Sequence, residues 1–163
     1  MHRMQEQRNI DIRAITDNGP SIHFIATEAE RKAIAERFEV PRLDKLEVTG
    51  HFGRDDLEDL IFFEGKMEVE AERECVITLN PFIEKTSIPI YLSFSENPGA
   101  DDSDPETDIL PIRKGKIDLF DVFAEEFGLT LNPFPKSVQD YLDYRDPGDK
   151  PDENPFAILK KLK

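Results

Sequence analysis

Apolar and polar residues alternate with period two along several stretches of this chain and take helical spacing in others, a pattern expected of an α+β fold. Ile10, Ile12 and Ala14 alternate with Asp11 and Arg13, predicting a short strand that ends at the turn Asp17-Asn18-Gly19-Pro20. Ile22, Phe24 and Ala26 resume the alternation. Thr27 with Glu30 has the spacing of a capping box and opens a helix whose buried stripe is expected to be Ala33, Ile34 and Phe38. Pro41 prevents its continuation.

From residue 43 the period is again two. Leu46, Val48 and Phe52 share one face, and Glu47 and Thr49 the other; Gly50 and Gly53 suggest a bulge, and Arg54-Asp55-Asp56 a turn before Leu60-Ile61-Phe62-Phe63. The clearest periodicity follows. Met67, Val69, Ala71, Cys75, Ile77 and Leu79 keep one parity, interrupted only by Arg73, while Glu68, Glu70, Glu72 and Glu74 keep the other. Such a strand has one buried and one wet face. Asn80-Pro81 is read as a turn, and Ile88, Ile90, Leu92 and Phe94 as a returning strand that Pro89 marks as an edge or as bulged.

Residues 97–109 are rich in Pro, Gly, Ser and acid and are expected to form a mobile acidic loop. Asp118 caps a helix carrying Leu119, Val122, Phe123 and Phe127, with Gly128 as its stop. A polar, proline-punctuated linker over 136–153 leads to a last helix. Asn154 is its cap, Pro155 its first residue, and Phe156, Leu159 and Leu162 its apolar stripe. The expected architecture is α+β: an antiparallel sheet or meander of about five or six strands, one N-terminal helix and two C-terminal helices. One domain is expected over 1–163, with 1–9 as a flexible tail.

Charge narrows the partners. With 35 acidic against 21 basic residues the chain carries a formal −14, a field that disfavours broad binding to nucleic acid and attracts basic proteins. One cysteine forms neither an internal disulfide nor a multi-thiolate metal site. No stretch reaches the ~20 apolar residues of a membrane span, and the N-terminus lacks a signal-peptide apolar run, so a soluble cytoplasmic protein is expected.

Candidate chemistry is sparse. His2, His23 and His51 are far apart and outside any ligand spacing, and no cofactor or metal is expected. Cys75, on the buried parity of a strand, reads as a small core hydrophobe. Asp121, Glu125 and Glu126 read as solvated acids on the polar side of a helix. The surface that stands out is the row Glu68, Glu70, Glu72 and Glu74, whose members repeat about every 6.6–6.8 Å along a strand. It is expected to form a negative stripe: a solvated sheet face, or a docking surface for basic residues, reinforced by Asp101, Asp102 and Asp104 of the acidic loop.

Three linked phrases resemble the YceD family, the large ribosomal RNA subunit accumulation proteins. They are Cys75-Val76-Ile77-Thr78-Leu79-Asn80-Pro81-Phe82, Ile117-Asp118-Leu119 running through Glu125-Glu126 and Leu129 to Asn132-Pro133-Phe134-Pro135, and Asn154-Pro155-Phe156-Ala157-Ile158-Leu159. The resemblance covers roughly the whole chain and is sharp from Arg73 onward. It implies a bacterial cytoplasmic protein supporting synthesis, processing or stability of 23S ribosomal RNA, with the small basic large-subunit protein bL32 as a partner candidate. It brings no catalytic residues. Many members carry Cys-x-x-Cys where this chain has Cys75 followed by Val76, Ile77 and Thr78, so no zinc-ribbon role carries over.

Two functions are therefore expected to compete, neither enzymatic. One is a ribosome-biogenesis factor that holds a basic ribosomal protein, or a basic patch of the pre-large-subunit particle, against its acidic surface. The alternative is direct RNA binding through Lys160, Lys161 and Lys163, with Lys114 and Lys116.

Overall fold

The computed structural model describes residues 8–97 and 108–138. Its strands are β1 (Asn9–Asp11), β2 (Ser21–Ile25), β3 (Arg42–Asp55), β4 (Leu60–Glu74), β5 (Pro81–Ser95), β6 (Ile109–Pro111) and β7 (Lys116–Asp118); its α-helices are α1 (Glu28–Arg37) and α2 (Leu119–Thr130). A five-stranded sheet runs in the order β2-β3-β4-β5-β6, and β1 with β7 forms a separate two-stranded sheet. The α+β class and the β3-β4-β5 meander agree with expectation. The purely antiparallel sheet does not, because β6 lies parallel to β5, with Ser93 opposite Ile109.

Alternation puts Leu46, Val48 and Phe52 of β3, Ile61, Phe63, Met67, Val69 and Ala71 of β4, and Ile90, Leu92 and Phe94 of β5 on one buried face. Helix α2 closes that face. Phe123 meets Phe24 edge-on at 5.3 Å and Phe63 at 5.4 Å, and Phe52 touches Phe63 at 5.0 Å. Such aromatic pairs contribute about 0.5–1.5 kcal/mol each beyond area burial. The other helix packs beside it, with Phe38 edge-on to Phe127 at 5.9 Å.

Local signals met different fates. The Thr27 box forms in full: the Thr27 amide donates to Glu30 Oε2 at 2.8 Å, and the Glu30 amide to Thr27 Oγ1 at 3.3 Å. Ala33, however, faces solvent, and Ala35 takes its place beside Ile34 in the core. The expected strand 10–14 stops at Asp11, where the carboxylate caps a single 3-10 turn, Ile12–Ala14. Gly50 and Gly53 are not a bulge. The register shifts instead between Leu43 and Lys45, and Gly50 lies directly opposite Gly65.

Boundaries move as well. Arg8 and Asn9, counted in the tail, are held: the Leu119 amide donates to Arg8 O at 2.8 Å, Arg8 pairs with Glu30 at 2.8 Å, and Asn9 opens β1. Ile109, counted in the acidic loop, belongs to β6. Pro89 lies on a part of β5 that has β4 on one side and, among the described residues, no strand on the other, as its edge reading required. The rest of the tail, the acidic loop, most of the linker and the last helix fall outside the described residues.

Candidate partner-binding surfaces

Strand β4 places Glu68, Glu70, Glu72 and Glu74 on the outer face of the sheet, with Glu64 in the same row. The row is not bare. Lys45 Nζ bridges Glu68 at 3.0 Å and Glu47 at 3.2 Å, Lys66 reaches Glu68 at 3.0 Å, Lys85 lies 3.4 Å from Glu70, and Arg42 pairs with Glu72 at 2.7 Å. Register explains the lattice. Lys45, Glu70 and Lys85 stand directly across three strands, whereas Glu47 opposes Glu68, a like-charge contact that Lys45 relieves. Hydrogen bonds from Lys45 and then Lys66 lower the pKa of Glu68; hydrogen bonds with His23 and then Lys45 lower that of Glu47. Glu74, at the end of the row, is exposed and has no ion pair among the described residues. Asp101, Asp102 and Asp104 lie outside the described residues, as do Lys160, Lys161 and Lys163.

A second feature lies at the end of β4. Arg73, on the buried parity, is only 8% exposed; it reaches Glu84 at 3.3 Å and donates to the Asn132 carbonyl at 2.7 Å. The Val76 amide donates to Pro135 O at 3.0 Å. Two of the sequence phrases, Cys75 to Phe82 and Asn132 to Pro135, are thereby stitched into one joint. The strand does not run on through Leu79 as its parity suggested. It ends at Glu74, and a turn closes over Cys75, with Cys75 N–H to Asn80 O at 2.9 Å and Leu79 N–H to Cys75 O at 2.8 Å.

Cys75 is fully buried. Burial raises its thiol pKa, but hydrogen bonds from the backbone of Thr78, Ser137 and Ile77 and from the Thr78 side chain outweigh that and hold it below the ordinary value. The sulfur thus lies among N–H and O–H donors from the turn and from the strap. Leu79, expected in the core, is instead exposed, in a left-handed backbone conformation with φ 62°.

Further surfaces frame these. A cleft of about 520 Å³ lies between α1 and the start of β3, floored by Ala35, Val40 and Leu43 and rimmed by both signs of charge. The β6–β7 connection turns at Lys114 and Gly115, both left-handed, and displays Arg113, Lys114 and Lys116. Asp121 and Glu125 are exposed and each lies 3.6 Å from Arg37. Glu126 departs from the solvated reading: it is half-buried, and burial raises its pKa.

That shift has a sign. A carboxyl whose pKa is raised on folding favours the fold fully below the ordinary carboxyl range, and the contribution is lost as pH rises through the raised value. Ionised Glu126 therefore opposes folding at neutral pH. Glu126→Gln is expected to stabilise the protein at pH 7 by a few tenths of a kcal/mol, allowing for solvent screening, and to leave it unchanged near pH 4. Urea unfolding at the two pH values checks this, and equal effects at both would contradict it.

Among the described residues no helix is long and apolar enough to cross a membrane, and no group of three or more His, Cys, Asp or Glu is placed to hold a metal ion. Compared with protein-family profiles, characterised proteins and solved structures, the chain matches none.

Sequence reasoning singled out the β4 carboxylates but missed their partners, because pairing depends on registers of β3 and β5 that periodicity does not reveal. It noticed Arg73 only as an interruption. A lone arginine on a buried parity was the signal for a joint.

Proposed function

We propose that this protein is a non-enzymatic ribosome-biogenesis factor of the YceD type, acting in the bacterial cytoplasm. It supports accumulation of 23S ribosomal RNA by holding a basic ribosomal protein, with bL32 as the first candidate, or a basic patch of the pre-large-subunit particle. The observation that carries this reading is the ordered carboxylate row on β4, ending in Glu74, which has no ion pair among the described residues. Its cations do not exclude a partner. Lys66 and Lys85 are exposed, and exposed ion pairs contribute only about 0–1 kcal/mol each. Arginines of a partner, which engage carboxylates in bidentate fashion, can displace such lysines while the carboxylates stay aligned.

Affinity capture from cell extract tests the proposal. Retention of a basic ribosomal protein at low salt is expected, with about tenfold loss at high salt and in the triple variant Glu70→Gln, Glu72→Gln, Glu74→Gln. Failure to retain any ribosomal protein, or retention indifferent to salt, overturns it.

The exposed Arg113, Lys114 and Lys116 turn favours a second reading, direct RNA contact, in place of the C-terminal lysines. Gel shift with large-subunit RNA fragments separates the two. Binding lost on Lys114→Glu with capture of protein unaffected would favour RNA.

A further inference from the structure

The joint that Arg73 and Val76 close is unusually apolar on its outer side. Val76 is 44% exposed, Leu79 67%, Phe134 68% and Val138 76%. These residues belong to the turn after β4 and the strap that follows α2, and the Val76–Pro135 hydrogen bond ties the turn to the strap. Leu79 sharpens the anomaly. A leucine in the left-handed region is strained where asparagine or glycine would be at ease, and here it also gains no burial within the described residues.

We infer that this apolar pole is the docking site for the chain's own C-terminal segment, residues 154–163. The described chain ends on the pole itself, at Val138, and twenty-five residues follow it. Their last ten carry Phe156, Leu159 and Leu162 at helical spacing, an apolar stripe that needs an apolar surface to cover it. Sixteen residue steps join Val138 to Asn154. A tether of that length has an r.m.s. span of about 20–24 Å, enough to return to a pole it starts from. Tethering at such lengths sets an effective concentration on the order of millimolar, so a contact too weak to hold two separate molecules together still forms within one chain. Charge agrees as well. Lys160, Lys161 and Lys163 close the segment, and Glu74, exposed and unpaired among the described residues, stands just before the turn.

The inference does not rest on the proposed function, but the two share Glu74, and with the tail docked the row left to the proposed partner is Glu68, Glu70 and Glu72. Docking assigns the terminal lysines to Glu74 and the sheet end, and so removes them from any direct role with RNA.

The chain contains no tryptophan, which gives a clean reporter. Phe134→Trp places the only indole on the pole, at an exposed position whose backbone N–H donates to Asn132 Oδ1 whatever the side chain. In the full-length protein its emission is expected to be blue-shifted and shielded from acrylamide. Adding Phe156→Asp and Leu159→Asp is expected to shift emission to the red and raise quenching about twofold or more, as release of a contact at least half formed requires. Leu79→Asn, which suits the left-handed backbone, is expected to do the same without touching the tail, and far-UV dichroism verifies that each variant is folded. Emission already water-exposed in the full-length reporter, or unaffected by either set of changes, overturns the inference. So does shielding that disappears on dilution, which would mean that a second copy covers the pole.

Discussion

Gly65→Val is expected to leave the protein unfolded, or to cost about 3 kcal/mol or more where it still folds, a large share of the about 5–15 kcal/mol that separates typical domains from their unfolded chains. Gly65 and Gly50 stand directly opposite each other in β4 and β3. A Cβ built on Gly65 would overlap the Thr49 carbonyl oxygen and come within 2.8 Å of Gly50 Cα; one on Gly50 would come within 2.7 Å of Gly65 Cα. These obstacles are backbone, so no rotamer change relieves them. β4 is also paired along most of its length on both sides, and it can retreat from β3 only by stretching its ladder with β5. Gly65→Ala should lie between wild type and Gly65→Val. Far-UV dichroism and urea unfolding read the outcome, and a valine variant within about 1 kcal/mol of wild type would show that the strands can separate cheaply there.

The second large effect belongs to Arg73→Ala, expected to destabilise by about 2–4 kcal/mol. The full penalty of breaking a buried ion pair does not apply, because Glu84 keeps partial access to water. What is lost is the packing of a buried side chain, one charge-assisted bond to Glu84, and the donor to the Asn132 carbonyl. Arg73→Lys should recover less than half, since an ammonium cannot reproduce the fork that reaches two acceptors on different segments. Hydrogen exchange gives a local readout. The Val76 amide, bonded to Pro135 O, should exchange faster in Arg73→Ala than amides in mid-β4. Uniform acceleration, or a loss below about 0.5 kcal/mol, would deny Arg73 its role as the pin.

The parts of the fold that were legible in the sequence are those set by local chemistry. Thr27 and Glu30 form their box, Asp118 caps α2 by accepting from the Asp121 amide, and the parity of β4 places Met67, Val69, Ala71 and Cys75 inside. What escaped depends on distant segments. Ala33 and Ala35 lie about 100° to either side of Ile34 on a helical wheel, and packing against the rest of the fold covers only Ala35. The parity argument failed at Leu79 because the chain turned at Cys75, where backbone donors gather around sulfur, an interaction without period in the sequence. Glycines 50 and 65 gave no sign of facing each other, since the register is fixed by the whole β3–β4 ladder. The carboxylate row was read correctly as a row and incompletely as an electrostatic object, because Lys45 and Lys85 reach it from neighbouring strands.

The small sheet of β1 and β7 has a kinetic consequence. Asn9 pairs with Asp118, and Ile10, almost fully buried, pairs with Ile117, partners more than a hundred residues apart in the chain. At a synthesis rate of about 5–20 residues per second, the N-terminal strand waits roughly 5–20 s for its partner to be made. The β3-β4-β5 meander, built from neighbouring strands, can assemble in that interval because its loops close at little entropic cost. β1, synthesised before every other described strand, is thus among the last of them to be paired, and a nascent chain halted before Ile117 carries Ile10 without its strand partner.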